Sequence, residues 1–306
     1  MKCFVGVLLL SGVVPLPRRR MFWERSKDCH NEMVAEAILR NKFEFILSHI
    51  YFQDNTSLDK SDKFAKVRPL FSYLNEKFMK HAYPEEELSV DEAMIPYTGR
   101  HGCKQFIHGK PIRYGFKLWV GTTRLGYINW FEPYQGASTN ISQKCKDLGV
   151  GTAVVLEYAD VLRSKWEDLK FHLFFDNFFS AIVLFELSEK QLSGTGTIRE
   201  NRISGSSPYD SNIMKKQQRG YYDYIKIEGT NIAFVKWNDN ILVTFCSNAA
   251  GVNPLKSVKR YSQKEKKFIQ VQQLNVVKLY NRNMGIIVDR SDQSISLYRT
   301  GIRGKK

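Results

Sequence analysis

Cysteine is scarce. The five residues, Cys3, Cys29, Cys103, Cys145 and Cys246, are odd in number, far apart and never in a Cys-x-x-Cys pair. That spacing excludes a disulfide framework and a cysteine zinc site, and it fits a reducing compartment, cytosol or nucleus. No apolar run approaches the roughly 20 residues that cross a bilayer. The longest candidate near the start, Cys3 to Leu10 after Lys2, is followed by Arg18, Arg19 and Arg20, and no small-x-small cleavage site precedes Pro15. A signal peptide is therefore rejected in favour of a buried helix over residues 1–14. Internal repeats are absent. Acidic residues are also in deficit, 31 Asp plus Glu against 46 Lys plus Arg, a formal net charge of +15. Such an imbalance favours polyanionic partners, nucleic acid or an anionic membrane surface. What is present in quantity is core material: 43% hydrophobic and 13% aromatic residues exclude a disordered chain.

The N-terminal part reads as helical. Val34, Ile38, Phe45, Ile46 and Ile50 form one stripe after Asp28, and Phe64, Val67, Phe71, Leu74 and Phe78 form another, with Pro69 kinking or starting the second helix. From Glu87 the pattern changes to strands at 88–97, 114–120 and 127–131, the last two joined by the turn 121–126. A helix over 152–164, a strand over 171–175 and a helix over 181–187 come next, which makes the core mixed α/β. Residues 201–220 are polar and linker-like. Beyond them lie β-rich runs at 221–228, 232–237 and 241–246, then a basic stretch, then a helix expected from Leu274 past Asp292. Trp237 reads as a strand or core residue rather than a base-stacking platform.

A few carboxylates carry the chemistry. Asp176 lies within Phe174-Phe175-Asp176-Asn177-Phe178-Phe179, where an acid is costly to bury without a cation or several donors. Taken alone it also reads as a helix cap, Asp91 as an acid closing the strand Leu88-Ser89-Val90, and Asp289 with Asp292 as a solvated helix face. Those readings stay open residue by residue. Taken together, the acids fall in the order and on the elements that an RNase H-like nuclease needs, a first strand, a later strand and a following helix, to clamp two Mg²⁺ ions about a scissile phosphate. Asp91 and Asp176 are then expected on adjacent strands, with carboxyl groups about 4–6 Å apart. His101 and His108 have no partner ligands in sequence and are assigned no metal.

The stretches Ser89-Val90-Asp91-Glu92-Ala93-Met94-Ile95-Pro96-Tyr97, Gly99 to Phe106 and Lys110 to Lys117 resemble the first-acid block of piggyBac transposases. Phe175-Asp176-Asn177-Phe178-Phe179 resembles the second block, and Tyr280-Asn281-Arg282-Asn283-Met284-Gly285 leading to Asp289, Asp292 and Gln293 resembles the third. The resemblance runs from Lys2 to Lys306. It implies an RNase H-like α/β core interrupted by a β-rich insertion and preceded by a helical region, with Asp91, Asp176, Asp289 and Asp292 as metal-binding catalytic acids and two Mg²⁺ ions as cofactor. On this basis the chain divides into a partial helical dimerisation and DNA-binding region (1–86), a first part of the core (87–198), a basic insertion (199–268) and the last core helix (269–306). The spacing agrees, 85 residues from Asp91 to Asp176 and 113 from Asp176 to Asp289. Only the second gap has room for an insertion.

Basic residues point to where DNA would lie. Between Arg199 and Lys267 thirteen Lys or Arg face six Asp or Glu, a net of +7, and Lys256, Lys259, Arg260, Lys264, Lys266 and Lys267 fill half of a twelve-residue window. That window reads as a phosphate-contact segment, or as a solvated linker or nuclear-import signal. Arg100, Lys104, Lys110, Arg113 and Lys117 surround the first acid and are assigned to phosphates near the metals. Two departures from the family bear on activity. Relatives read Met-Gly-Gly-Val-Asp, whereas Met284-Gly285-Ile286-Ile287-Val288-Asp289 loses a Gly and gains a residue, and one extra helical residue rotates the residues beyond it by about 100°. The family's acidic leader and cysteine-rich zinc tail have no counterpart in this sequence. The expectation is a nuclear, domesticated or truncated DNA-binding protein, weak or inactive as a catalyst, with DNA and a second copy as partners and no membrane or small-molecule substrate. The alternatives are an active Mg²⁺-dependent transposase acting at TTAA sites and a non-functional truncated copy.

Overall fold

The structure is a computed structural model that describes residues 1–108, 110, 112–141, 148–177, 182–200, 210–263, 265–284 and 298–302, with Ile182 described by its backbone alone. The helical region opens with α1 (Lys2–Val13), α2 (Glu32–Ala37) and α3 (Arg40–His49). Phe4 and Val7 of α1 are buried with Phe22, Val34, Phe43 and Ile302, so the first helix is a core element, as its apolar run predicts. Among the described residues no helix is long and apolar enough to cross a membrane. The stripe predicted after Asp28 is two helices rather than one. Asn31 caps α2 by accepting from Val34 N (3.1 Å), and the chain turns extended at Ile38 and Leu39, where Trp23 Nε1 donates to the Ile38 carbonyl (2.8 Å). Pro69 starts rather than kinks α4 (Arg68–His81), since its missing N–H costs nothing in the first turn. Arg68 fastens that start to the sheet, pairing with Asp62 (2.7 Å) and Glu132 (3.0 Å).

The sheet begins with β1 (Glu87–Pro96), β2 (Lys104–Phe106), β3 (Tyr114–Thr123) and β4 (Ile128–Pro133). After α5 (Val150–Lys165) come β5 (His172–Phe175), α6 (Ile182–Glu189) and β6 (Ser193–Thr197). A short α7 (Ser211–Met214) precedes β7 (Tyr222–Lys226), β8 (Ala233–Asn238) and β9 (Leu242–Ser247). The chain then forms the hairpin β10 (Lys256–Ser262) and β11 (Lys267–Gln273) and the helix α8 (Asn275–Met284). Strand order is β2-β3-β1-β5-β6-β9-β8-β7, with β4 also on β3. β1 is antiparallel to β3 and parallel to β5, β5 is parallel to β6, and β9 is antiparallel to β6. The strands after the linker therefore extend one mixed sheet.

One face of the sheet packs on α5 and α6 through Leu88, Val90, Trp119, Trp130, Leu173 and Phe175. The other carries α4 over Ala93, Leu118, Val120 and Phe131, and α8 over β1, β5, β6 and β9. Trp237 is buried with Phe245 and Val271, in line with a core role. Strand β6, Ser-Gly-Thr-Gly-Thr, has poor strand propensity and no sequence signal. Its place is set by bulk around it, because a Cβ on Gly196 would stand 2.3 Å from the Phe175 ring. Gly196→Ala should therefore lower stability by about 1–3 kcal/mol through overpacking, measured by the urea midpoint at unchanged slope. A wild-type midpoint would contradict this packing.

Candidate phosphoryl-transfer site and basic surfaces

Parallel pairing between β1 and β5 runs from Glu87↔His172 to Val90↔Phe175 and then stops. The next residue along the chain is an acid in both cases, Asp91 within β1 and Asp176 just past the end of β5. Adjacent strands lie about 4.8 Å apart and side chains alternate between faces, so the two acids leave neighbouring strands side by side. Asp91 lies on the face opposite to Val90, which is in the core with α5 and α6, and its charge and that of Asp176 both act on Tyr280 from the other side. This is the α8 face. Ser89, on that face, donates from Oγ to the Asn283 carbonyl near the end of α8 (2.6 Å). Asp91 sits inside its strand, as the expected strand over 88–97 has it rather than as a closing acid, because β1 continues against β3 to Pro96 after β5 has ended. Asp176 follows β5 directly and is half-buried.

Charge is concentrated here. Burial, the neighbouring Glu92 carboxylate and Asp176 raise the Asp91 carboxyl to about 7, against the opposing pull of Lys110 and of the Glu92 N–H, which donates to Asp91 Oδ1 at 2.8 Å. Lys110 Nζ stands 3.5 Å from Glu92 Oε1. Lys117 Nζ lies 3.7 Å from the centre of the Trp119 ring, and burial lowers its pKa although Glu92, Asp176 and Asp91 all pull it up. From α8, Tyr280 brings its hydroxyl to 3.4 Å from Thr197 Oγ1, and burial with the two aspartates raises it to about 12. Lys110 and Lys117 thus join the acids. Glu92 and Tyr280 are functional candidates that sequence reasoning passed over. Glu92 should point to the opposite face by strand period, and Tyr280 carries no charge to flag it.

The other predicted residues divide among three places. Asp289, Asp292 and Lys264 lie outside the described residues. Arg100 and Arg113 are exposed near the distal end of β1 and β3, where Lys104 lies over the Tyr114 ring (5.5 Å). Lys256, Lys259, Lys266 and Lys267 are exposed on the β10–β11 hairpin, whereas Arg260 is turned inward to Asp239 (3.4 Å). Among the described residues no three His, Cys, Asp or Glu side chains cluster as a metal site. Asp91 and Asp176 are the two predicted acids that the described residues bring to this end of the β1–β5 pairing, and burial, then Glu92, with a smaller part from Asp176, raises Asp91 to about 7. Such a pair suits a hard divalent cation.

The family model described as Transposase IS4 matches residues 1–306. The chain belongs to the piggyBac transposase family. It is 50% identical over its whole length to human PiggyBac transposable element-derived protein 3 and 44% identical to human PiggyBac transposable element-derived protein 2, covering 51% of each. It is also 50% identical over its whole length to the human chimeric ERCC6-PGBD3 protein, covering 28% of it. The fold matches a piggyBac transposase in a synaptic complex with hairpin DNA, solved by cryo-electron microscopy, at a TM-score of 0.68 and 20% identity over 97% of this chain and 58% of that one. The chain spans about half the length of two of these curated relatives and 28% of the third.

The raised Asp91 has a measurable consequence. Its folded pKa exceeds the unfolded value of 3.8, so the folded state holds the proton longer and the stability associated with this group is lost as pH rises from about 4 through 7. In EDTA the wild-type Tm should fall between pH 5 and pH 8 more steeply than that of Asp91→Asn. Mg²⁺ at pH 8 should raise the wild-type Tm and leave the variant unmoved. Equal pH slopes in the two proteins would contradict the burial of this charge.

Proposed function

We propose that this chain is a nuclear, homodimeric DNA-binding protein derived from a piggyBac transposase, which keeps the carboxylate pair of a phosphoryl-transfer site but cleaves DNA weakly or not at all. The observation that carries the reading is the emergence of Asp91 and Asp176 from adjacent parallel strands in register. The order β4-β3-β1-β5-β6, three antiparallel strands then two parallel to the first, with helices on both faces, supports an RNase H-like core. Strands β7 to β9 and the β10–β11 hairpin are then the β-rich insertion, and residues 1–86 the helical region. The relative solved with hairpin DNA supports DNA as the partner.

Asp91 and Asp176, with Asp289 and Asp292 from the segment after α8, would hold Mg²⁺. Bound there, the ions supply activation of the attacking oxygen and stabilisation of the leaving oxygen in an in-line displacement at phosphorus. The chain's own cations do the rest. Lys110 and Lys117, already beside the acids, draw a strand's phosphates toward them, while Trp119 and Tyr134 hold the Lys117 ammonium in place from below. Tyr280 would flank the acids from the α8 side, its hydroxyl 3.4 Å from Thr197 Oγ1. The weak point lies in the sequence Met284 to Asp289, where the residue added to the family's pattern would re-aim the third acid if it extends a helix and would spare it if it falls in a turn. The intact pair favours a second reading, an active transposase that cuts and joins DNA at TTAA.

Duplex binding should weaken steeply with salt. Replacing Lys264, Lys266 and Lys267 with Gln should reduce the log–log slope by roughly 0.9 for each lost phosphate contact. The unmodified chain should cut a transposon-end duplex in Mg²⁺ at background rate. An unchanged salt slope would remove the tip from the DNA-contact set. Robust cleavage, abolished in Asp176→Asn, would establish the second reading instead.

A further inference from the structure

The basic stretch between β9 and α8 is a two-faced ribbon. Its seven cross-strand pairs run from Lys256↔Gln273 to Ser262↔Lys267, in a two-stranded sheet of their own. The inner face is anchored through both strands. Val258, Ile269 and Val271 pack with Trp237 and Phe245, and Arg260 pairs with Asp239. Arg219, also paired with Asp239, donates to the Tyr261 carbonyl (2.9 Å), and Trp237 Nε1 donates to that of Gln272 (3.0 Å). The outer face is different. Ser257, Lys259, Tyr261, Phe268, Gln270 and Gln272 are all exposed, Phe268 at 69%. Tyr261 and Phe268 face each other across the strands, ring centres 5.4 Å apart at 73°. Ser257 Oγ donates to Gln270 Oε1 (2.8 Å), and the exposed lysines Lys266 and Lys267 stand at the tip.

The geometry points to insertion of this outer face into the major groove of duplex DNA. Gln270 and Gln272 would meet base edges, Lys259 and the tip lysines phosphates, and the Tyr261–Phe268 pair the apolar surface of the bases. The inference rests on the DNA-binding reading above and adds which element enters the duplex and by which groove. Three features support it. A major groove about 12 Å wide admits a two-stranded ribbon, and glutamine amides match the donor and acceptor of adenine there. The face and tip are cationic, complementary to a polyanion, whereas Glu265 is the one acid between Lys256 and Gln273. Phe268 makes its ring contact with an equally outward tyrosine and not with the core, so its exposure has no packing rationale within the chain. Rings set nearly at right angles do not make the flat platform on which successive bases of a single strand stack. That disposition favours a groove over a single strand.

The test uses the full chain with a fluorescein-labelled mixed-sequence duplex, the same strand unpaired, and selection from a duplex pool with a randomised centre. The wild type should prefer duplex and be displaced by methyl green, a major-groove ligand, but not by the minor-groove ligand netropsin. Tyr261→Ala with Phe268→Ala should weaken duplex binding about tenfold. Gln270→Ala with Gln272→Ala should flatten the selected sequence preference while leaving the salt slope intact, and Lys259→Gln should lower that slope by about 0.9. All these side chains are exposed, so an unchanged Tm would show that the variants fold. Variants that bind and select as the wild type does, displacement by netropsin alone, or preference for the unpaired strand would each overturn the inference while leaving DNA binding intact. A wild-type chain that binds neither probe would sink the proposed function itself.

Discussion

Four parallel backbone pairs between β1 and β5 hold together two segments 85 residues apart, and the site exists because that pairing stops where it does. Parallel strands cannot be joined by a tight turn, so the chain must cross over a face of the sheet. It does so with α5, whose residues from Ala153 to Leu156, Tyr158, Ala159 and Leu162 are buried against Leu88, Val90 and Trp119. The burial of Val90 and Phe175 on that side fixes the register. A slip of one residue would drive an aspartate into the α5 core and expose an apolar side chain in its place. The hydrophobic core therefore sets the position of the two acids as firmly as any direct contact between them.

That arrangement is a burden on the metal-free fold. Asp91, Glu92 and Asp176 share one end of the sheet, and Asp91 answers by keeping its proton near neutrality. Lys110 and Lys117 offset the repulsion without removing it. Strain of this kind belongs to sites that are completed by something else, which under the proposed function would be cations and a phosphate backbone. The basic ribbon lies toward the other end of the same sheet, packed behind β8 and β9. With β5, β6 and β9 between β1 and β8, the separation across the sheet is on the order of 20 Å at ordinary strand spacing. A duplex held by the ribbon would thus need to span several strands before reaching the acids.

Much of this was legible in the sequence, for identifiable reasons. The alternation in Leu88-Ser89-Val90 and the apolar run Phe171 to Phe175 mark strands because burial on one or both faces imposes those periods, and the helical stripe over α5 is equally direct. Asp91 and Asp176 stood out because acids inside apolar runs are costly. Strand β6 was not legible, since Gly194 and Gly196 sit there to make room for Phe175, Leu184 and Leu187, a property of the neighbours rather than of the segment. The hairpin β10–β11 was hidden by its own lysines, which read as a charge run, although Val258 and Arg260 alternate against Ile269 and Val271. Glu92 and Tyr280 reach the site by chain adjacency and by helix docking, and neither is encoded in a local pattern.

The central claim is that Asp91 and Asp176 act as one divalent-cation site rather than as two separate acids. Mn²⁺ titration followed by electron paramagnetic resonance, on the wild type, Asp91→Asn, Asp176→Asn and the double variant, tests it most directly. A shared site predicts that either single substitution removes the same bound Mn²⁺ and that the double substitution removes nothing further, a strongly non-additive cycle. Additive, independent losses from the two substitutions, or undiminished Mn²⁺ binding in either single variant, would contradict the account.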